Sequence, residues 1–162
     1  MKKGGILLGI IILAALIGFY AYCKMTFLPD LNLSEIEIHD LNNLPINLAD
    51  RHQKPLVINF WSTTSKKSFE NLQQLNKAFK NYGDTANFFI VSDEASEEIS
   101  IYKTTSMFPF FFIRSLKPIA DYGIGNVPAT YFFNAEGKMV YKKIGVMQQA
   151  EIERELSKLT SP

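Results

Sequence analysis

Apolar and polar positions divide the chain into stretches of different period. Behind a short positive start, Met1–Lys3, residues Gly4 to Tyr22 are almost wholly apolar. That is about the ~20 residues a helix needs to cross a bilayer. A cleaved signal peptide has a shorter apolar core, roughly 7–15 residues, and ends in small side chains. Here Tyr20 and Tyr22 stand at that place, so the pattern predicts an uncleaved anchor with both tyrosines in the interface belt. Lys2 and Lys3 stay on the cytoplasmic side, which puts Lys24 onward outside. Bulky Tyr22 directly before Cys23 argues against a lipoprotein signal; Cys23 reads as an inert thiol at the membrane surface, with lipidation or an intermolecular disulfide as the alternatives.

Beyond the anchor, Thr26 to Asn32 with Pro29 predicts a linker. Glu35–His39 alternates polar and apolar, the period of a strand. Asp40–Asn43 is turn chemistry, and Ile46–Leu48 is another short extended piece. Pro55 keeps helix out of the apolar run Leu56, Val57, Ile58 and Phe60, which predicts a buried strand. From Phe69 the period changes. Phe69, Leu72, Leu75, Asn76 and Phe79 recur at helical spacing, with Ser65 as N-cap and Asn81–Asp84 as the stop. The continuous apolar run Asn87–Ser92 predicts a strand covered on both faces. Glu94–Thr105 carries a weaker helical pattern through Ile99 and Tyr102. Phe108–Ile113 predicts a core-filling extended element, which Pro109 makes an edge or irregular strand. Ala135–Lys138 reads as a hairpin turn, Met139–Ile144 pairs back across it, and Gln148–Leu159 closes the chain as a helix with Ile152, Leu156 and Leu159 on one face.

Charge and composition narrow the function. The net charge is +1 and no basic patch is interleaved with aromatics, so nucleic acid is not implied. No internal repeat is present. His39 and His52 lie in the polar region before the central strand, and no Cys/His/carboxylate cluster has zinc spacing. No metal and no cofactor are therefore expected. With one cysteine in the chain, neither an internal disulfide nor a self-contained dithiol cycle is available.

Three motifs together resemble a known family. Asn59-Phe60-Trp61 leads through a short turn to a residue pair spaced i, i+3 at a helix start, Ser65 and Ser68. Tyr122–Asn134 contains Val127-Pro128-Ala129-Thr130, and Asn134-Ala135-Glu136-Gly137-Lys138 follows. With an anchor in front, these resemble the membrane-anchored TlpA/ResA-type thiol–disulfide oxidoreductases, over Glu35 to Leu159. The resemblance implies a thioredoxin-like α/β fold. A central mixed sheet would be flanked by helices in the order β-α-β-α-β-β-α, with an N-terminal β-hairpin extension and one transmembrane helix before it. The chain then divides into an anchor at 1–24, a linker at 25–34 and a thioredoxin-like domain at 35–162.

In that family the pair is Cys-x-x-Cys, usually preceded by Trp. Here it is Ser65-Lys66-Lys67-Ser68, preceded by Thr64. The resemblance also implies a cis bond at Pro128, with Val127 and Thr130 flanking a groove for an extended peptide and Trp61 and Thr64 beside it. The partner would be an envelope protein or an extended peptide.

The family reaction needs a thiolate at the first position and a second thiol to resolve the mixed disulfide. A serine hydroxyl is not appreciably ionised at neutral pH and forms no disulfide. Three readings follow. The first is a tethered binding module without redox chemistry. The second is an oxidoreductase whose cysteines have been replaced. The third is a hydrolase with Lys66 or Lys67 as the base for a serine, although lysines at a solvated helix start stay charged. Two lysines there also oppose the helix dipole by a few tenths of a kcal/mol each, and contact with an acidic partner or an anion would explain them.

Overall fold

The computed structural model describes residues 8, 10–20, 27–51 and 53–160. The described part of the expected anchor is a helix, α1 (residues 10–20), exposed along its whole length. Its apolar side chains face solvent on every side, Ile10 at 59% and Phe19 at 67% among them. Among the described residues, no helix is long and apolar enough to cross a membrane. Residues 4–7, 9 and 21–22 of the expected run, together with Cys23, lie outside the described residues.

A seven-stranded sheet in the order β2-β1-β5-β4-β3-β6-β7 carries the rest. Its strands are β1 (Ile38–His39), β2 (Pro45–Ile46), β3 (Leu56–Phe60), β4 (Asn87–Ser92), β5 (Phe111–Ser115), β6 (Ala129–Phe133) and β7 (Met139–Ile144). The helices after α1 are α2 (Lys66–Tyr82), α3 (Ser96–Ser106) and α4 (Gln149–Thr160). Strand β3 lies at the centre, parallel to β4 and antiparallel to β6. Its five residues are fully buried, and their alternation sends Leu56, Ile58 and Phe60 to one core and Val57 to the other. Continuous apolar strands with both faces covered follow from that placement.

Several expected elements differ. The segment at 25–34 is no free linker where it is described. Leu28, Leu31 and Leu33 enter the first core, and the Tyr131 hydroxyl donates to the Pro29 carbonyl at 3.2 Å. Glu35–His39 is not one strand. A 3-10 turn takes Leu33–Glu35 and only Ile38–His39 pairs, because burying Leu33 and Ile36 in one core needs a bend that an extended chain lacks. Leu48 likewise opens a 3-10 turn, Leu48–Arg51, instead of continuing an extended piece.

The Phe-rich segment becomes strand two or three residues later than expected. It is internal, parallel to β4 and antiparallel to β1, so three strands follow α3 where two were expected. Pro109 precedes the ladder and removes no hydrogen bond from it, which is why it does not force an edge. Helix α2 is rotated by about one position from the expected face. Ser68, Asn71, Leu72, Leu75 and Ala78 are buried, whereas Phe69 is 43% exposed.

Candidate functional site

Strand β3 ends at Phe60, and the chain turns through Trp61–Thr64 into α2. Ser65 caps that helix, its Oγ accepting the Ser68 N–H at 3.2 Å. Ser68 is wholly buried and its Oγ accepts the Ser62 N–H at 3.3 Å. Both hydroxyl oxygens therefore serve the backbone of the turn, an arrangement that rewards small polar side chains at the first helical turn. Lys66 and Lys67 are exposed.

The turn is tied down from β4. Glu94 accepts the Thr63 N–H at 3.0 and 2.9 Å and the Ser62 hydroxyl at 2.7 Å. Ser92 Oγ donates to the same carboxylate at 3.0 Å and accepts the Glu94 N–H at 3.2 Å. The Ser62 proton being spent on Glu94, the 2.9 Å contact between Ser62 Oγ and Thr64 Oγ1 is donated by Thr64.

Beneath the serines lies a neutral polar network. Asn59 Nδ2 donates to Thr130 Oγ1 at 2.9 Å, and Asn71 Nδ2 donates to the same oxygen at 3.2 Å. Asn71 Oδ1 accepts the Met147 N–H at 2.8 Å. Asn59, Asn71 and Thr130 are all 0% exposed. The network joins β3, β6, α2 and the approach to α4, and its members carry no ionisable side chain. His39 sits on β1, separated from β3 by β5 and β4, and bonds Asn43 within the hairpin. No histidine there is positioned to serve either serine as a base. His52 lies outside the described residues.

The expected groove residues separate into two groups. The Val127–Pro128 bond is cis. Val127 is half-buried, and among the described residues no hydrogen bond uses its N–H or C=O, while the Pro128 carbonyl accepts the Gly145 N–H at 2.8 Å. Thr64 is exposed. Trp61 and Thr130 are 0% exposed and so support the turn from below without offering groove surface. The residues missed at the sequence level are Glu94, Asn59 and Asn71. The available signal for Asn59 was a lone amide inside the apolar run 56–60. Among the described residues no cluster of His, Cys, Asp or Glu is arranged to hold a metal.

No family model matches the chain. Over 174 residues it is 28% identical to the thiol–disulfide oxidoreductase ResA of Bacillus cereus strain ZK / E33L, covering 99% of both chains. It is 24% identical over 127 residues to the thioredoxin-like protein YneN of Bacillus subtilis strain 168, covering 75% of each. Among solved structures, it resembles a thiol:disulfide interchange protein of the thioredoxin family from Chlorobium tepidum. There the TM-score is 0.67 at 14% identity, over 82% of this chain and 100% of that one. StoA from Bacillus subtilis matches with TM-score 0.60 at 14% identity, over 73% and 92%. The likenesses to solved structures show that the fold is thioredoxin-like.

Proposed function

From the premise that this chain is a thioredoxin-like protein of the TlpA/ResA type with a single cysteine, we propose that it has lost thiol–disulfide exchange and acts as a non-redox binding module of the cell envelope. The observation that carries this reading is the pair Ser65 and Ser68. Both stand at the helix start where the chemistry requires sulfur, and both oxygens are engaged by backbone N–H groups. Without a thiolate no mixed disulfide forms, and without a second thiol none resolves. The neutral network of Asn59, Thr130 and Asn71 supports the same reading, since none of its members is an ionisable base.

The ligand in this reading is an extended peptide of an envelope protein, lying against Val127 and Pro128 with Thr64 at its side. The unused N–H and C=O of Val127 are the groups that would pair with such a peptide by strand addition. The apolar, solvent-facing α1 supports an N-terminal membrane tether, with the domain on the extracytoplasmic side. Among the described residues, α1 alone falls short of a span.

Insulin reduction by the natural chain and by a Ser65→Cys/Ser68→Cys double variant tests the redox part. The natural chain should be inert and the double variant active. Turnover by the natural chain would overturn the reading. Covalent labelling of Ser65 by an acylating probe would favour a hydrolase instead.

A further inference from the structure

The segment expected as a linker runs from the anchor into the neighbourhood of Pro128. Leu28 and Leu31 are 7% and 6% exposed and belong to the same core cluster as Ile124, Ala129 and Tyr131, with Val127 packed against it. Those residues stand on both sides of Pro128 in the chain. Pro29, between the two leucines, touches each end of the stretch that carries Pro128. At its start, a methyl group placed on Gly123 would lie 3.1 Å from Pro29 Cγ, so the proline ring takes the room that a side chain would need there. Beyond its end, the Tyr131 hydroxyl donates to the Pro29 carbonyl at 3.2 Å.

The same segment is clipped down on its outer side. Asp30 pairs with Lys142 of β7, and the Lys142 ammonium lies 5.9 Å from the centre of the Phe27 ring. An exposed ion pair adds little stability, but this one ties the segment to the strand beside β6. Strand β7 also leads into a hold on the loop itself, the Gly145 N–H donating to the Pro128 carbonyl at 2.8 Å. Between these holds the loop does little for itself. Gly123 takes φ 75°, and Val127 offers an N–H and a C=O that no hydrogen bond among the described residues uses. A short segment with few bonds of its own is stable only as far as its packing holds it.

We propose that residues 27–31 are a strap that sets the shape of the peptide groove, with Pro29 as its positioning residue. This inference rests on the groove reading above and adds that the continuation of the tether is itself part of the groove's back wall. Six residues separate the strap from Tyr20, the last described residue of α1. Pro29 acts through Gly123 and Tyr131 and not by touching the peptide. A domain cut at residue 35 would keep all seven strands and lose the brace behind Val127 and Pro128.

The test uses the full chain in lipid nanodiscs, with labelled methyl groups read by NMR. Pro29→Gly takes the ring away from Gly123. Tyr131→Phe is the milder variant, removing the donor to the Pro29 carbonyl and leaving the aromatic ring in the core. Both should lower the methyl order of Ile124 and Val127 and leave Ile99 and Leu72, which lie in the other core, as in the parent. Titration with acetyl-Thr-Val-Thr-Val-Thr-amide should shift the Val127 methyls saturably. The same peptide N-methylated at every residue should not, because it has lost its donors for strand pairing. Pro29→Gly should bind the peptide about fivefold more weakly, as a groove in its binding shape roughly one-fifth of the time would. Unchanged order at Ile124 and Val127 in Pro29→Gly, or an equal loss at Ile99 and Leu72, would overturn the strap and make residues 27–31 ordinary core. So would parent-like peptide affinity in both variants. A parent that ignores the peptide would overturn the groove reading instead, and the methyl data would still decide whether Pro29 holds the loop. The insulin assay judges the redox reading separately.

Discussion

Glu94, thirty-one residues further along the chain, receives the backbone N–H of Thr63 on both carboxylate oxygens, at 3.0 and 2.9 Å. The turn ahead of the serine pair is thus held from the neighbouring strand's end and not by its own sequence alone. A charge-assisted hydrogen bond of this kind contributes roughly 1.5–3 kcal/mol. Glu94→Ala should therefore lower stability by about 2 kcal/mol in urea denaturation and raise the exchange rate of the Thr63 amide. Glu94→Gln, which keeps one acceptor, should fall in between. Unchanged protection of that amide in Glu94→Ala would show that the turn holds itself.

Thr130 occupies the centre of the buried network, taking two amide donors on one oxygen. Thr130→Val keeps the shape and deletes the acceptor, leaving Asn59 and Asn71 each with an unpaired buried N–H. Each such group costs about 1–3 kcal/mol, so a loss of ~3 kcal/mol in thermal or chemical denaturation is expected. Thr130→Ser should recover most of it, and a Val variant as stable as the parent would mean the network carries no weight.

The chain's legibility was uneven in an instructive way. Strand β3, the Ser65 cap and the hairpin at 135–138 were all readable, because each rests on a local pattern: an apolar run, a capping side chain, a turn glycine with φ 76° at Gly137. The face of α2 was misjudged because Phe69 read as core and Asn71 was not read as part of the buried face. In the fold Asn71 finds Thr130 and the Met147 N–H inside, while Phe69 is 43% exposed. Burial of an amide depends on partners 59 and 76 residues away, which no local period encodes. Glu94 escaped notice for the same reason. The Phe-rich segment read as an edge because of Pro109, which in the fold stands ahead of the ladder, and the strand that covers its far side, β1, is only two residues long.

Helix α4 is bound to β7 through Glu151, whose carboxylate accepts from Lys143 Nζ at 2.6 Å and from the Tyr141 hydroxyl at 2.9 Å. Burial works to raise the Glu151 carboxyl, but the bonds from Lys143 and Tyr141 outweigh it and hold the group below its ordinary value. A carboxylate depressed in the folded state stabilises fully above its unfolded value, about 4.3, and loses that contribution as pH falls through the folded one. Stability should thus decline with acid below about pH 4.3. Lys143→Met should be the less stable protein at neutral pH and should show a shallower acid decline, read from urea midpoints between pH 7 and pH 3. Parallel curves for the two proteins would remove Lys143 from the account.

The Tyr102 hydroxyl gives the last test, because its burial has two consequences that add. At neutral pH it is a buried donor without a partner among the described residues, a condition that costs about 1–3 kcal/mol. Tyr102→Phe removes it at nearly constant volume, so the protein should gain about 1 kcal/mol. At high pH a second effect adds to the first. An unfolded tyrosine ionises near 10, whereas burial raises folded Tyr102 to about 12. Between those values the unfolded chain has lost a proton that the folded chain keeps, so the stability of the parent falls as pH rises. Tyr102→Phe lacks that loss, while Tyr131, also raised by burial, remains in both proteins and cancels. The advantage of the Phe variant should therefore widen above pH 10. A gap that stays constant from pH 8 to pH 11 would show that the hydroxyl ionises as freely in the fold as in the unfolded chain.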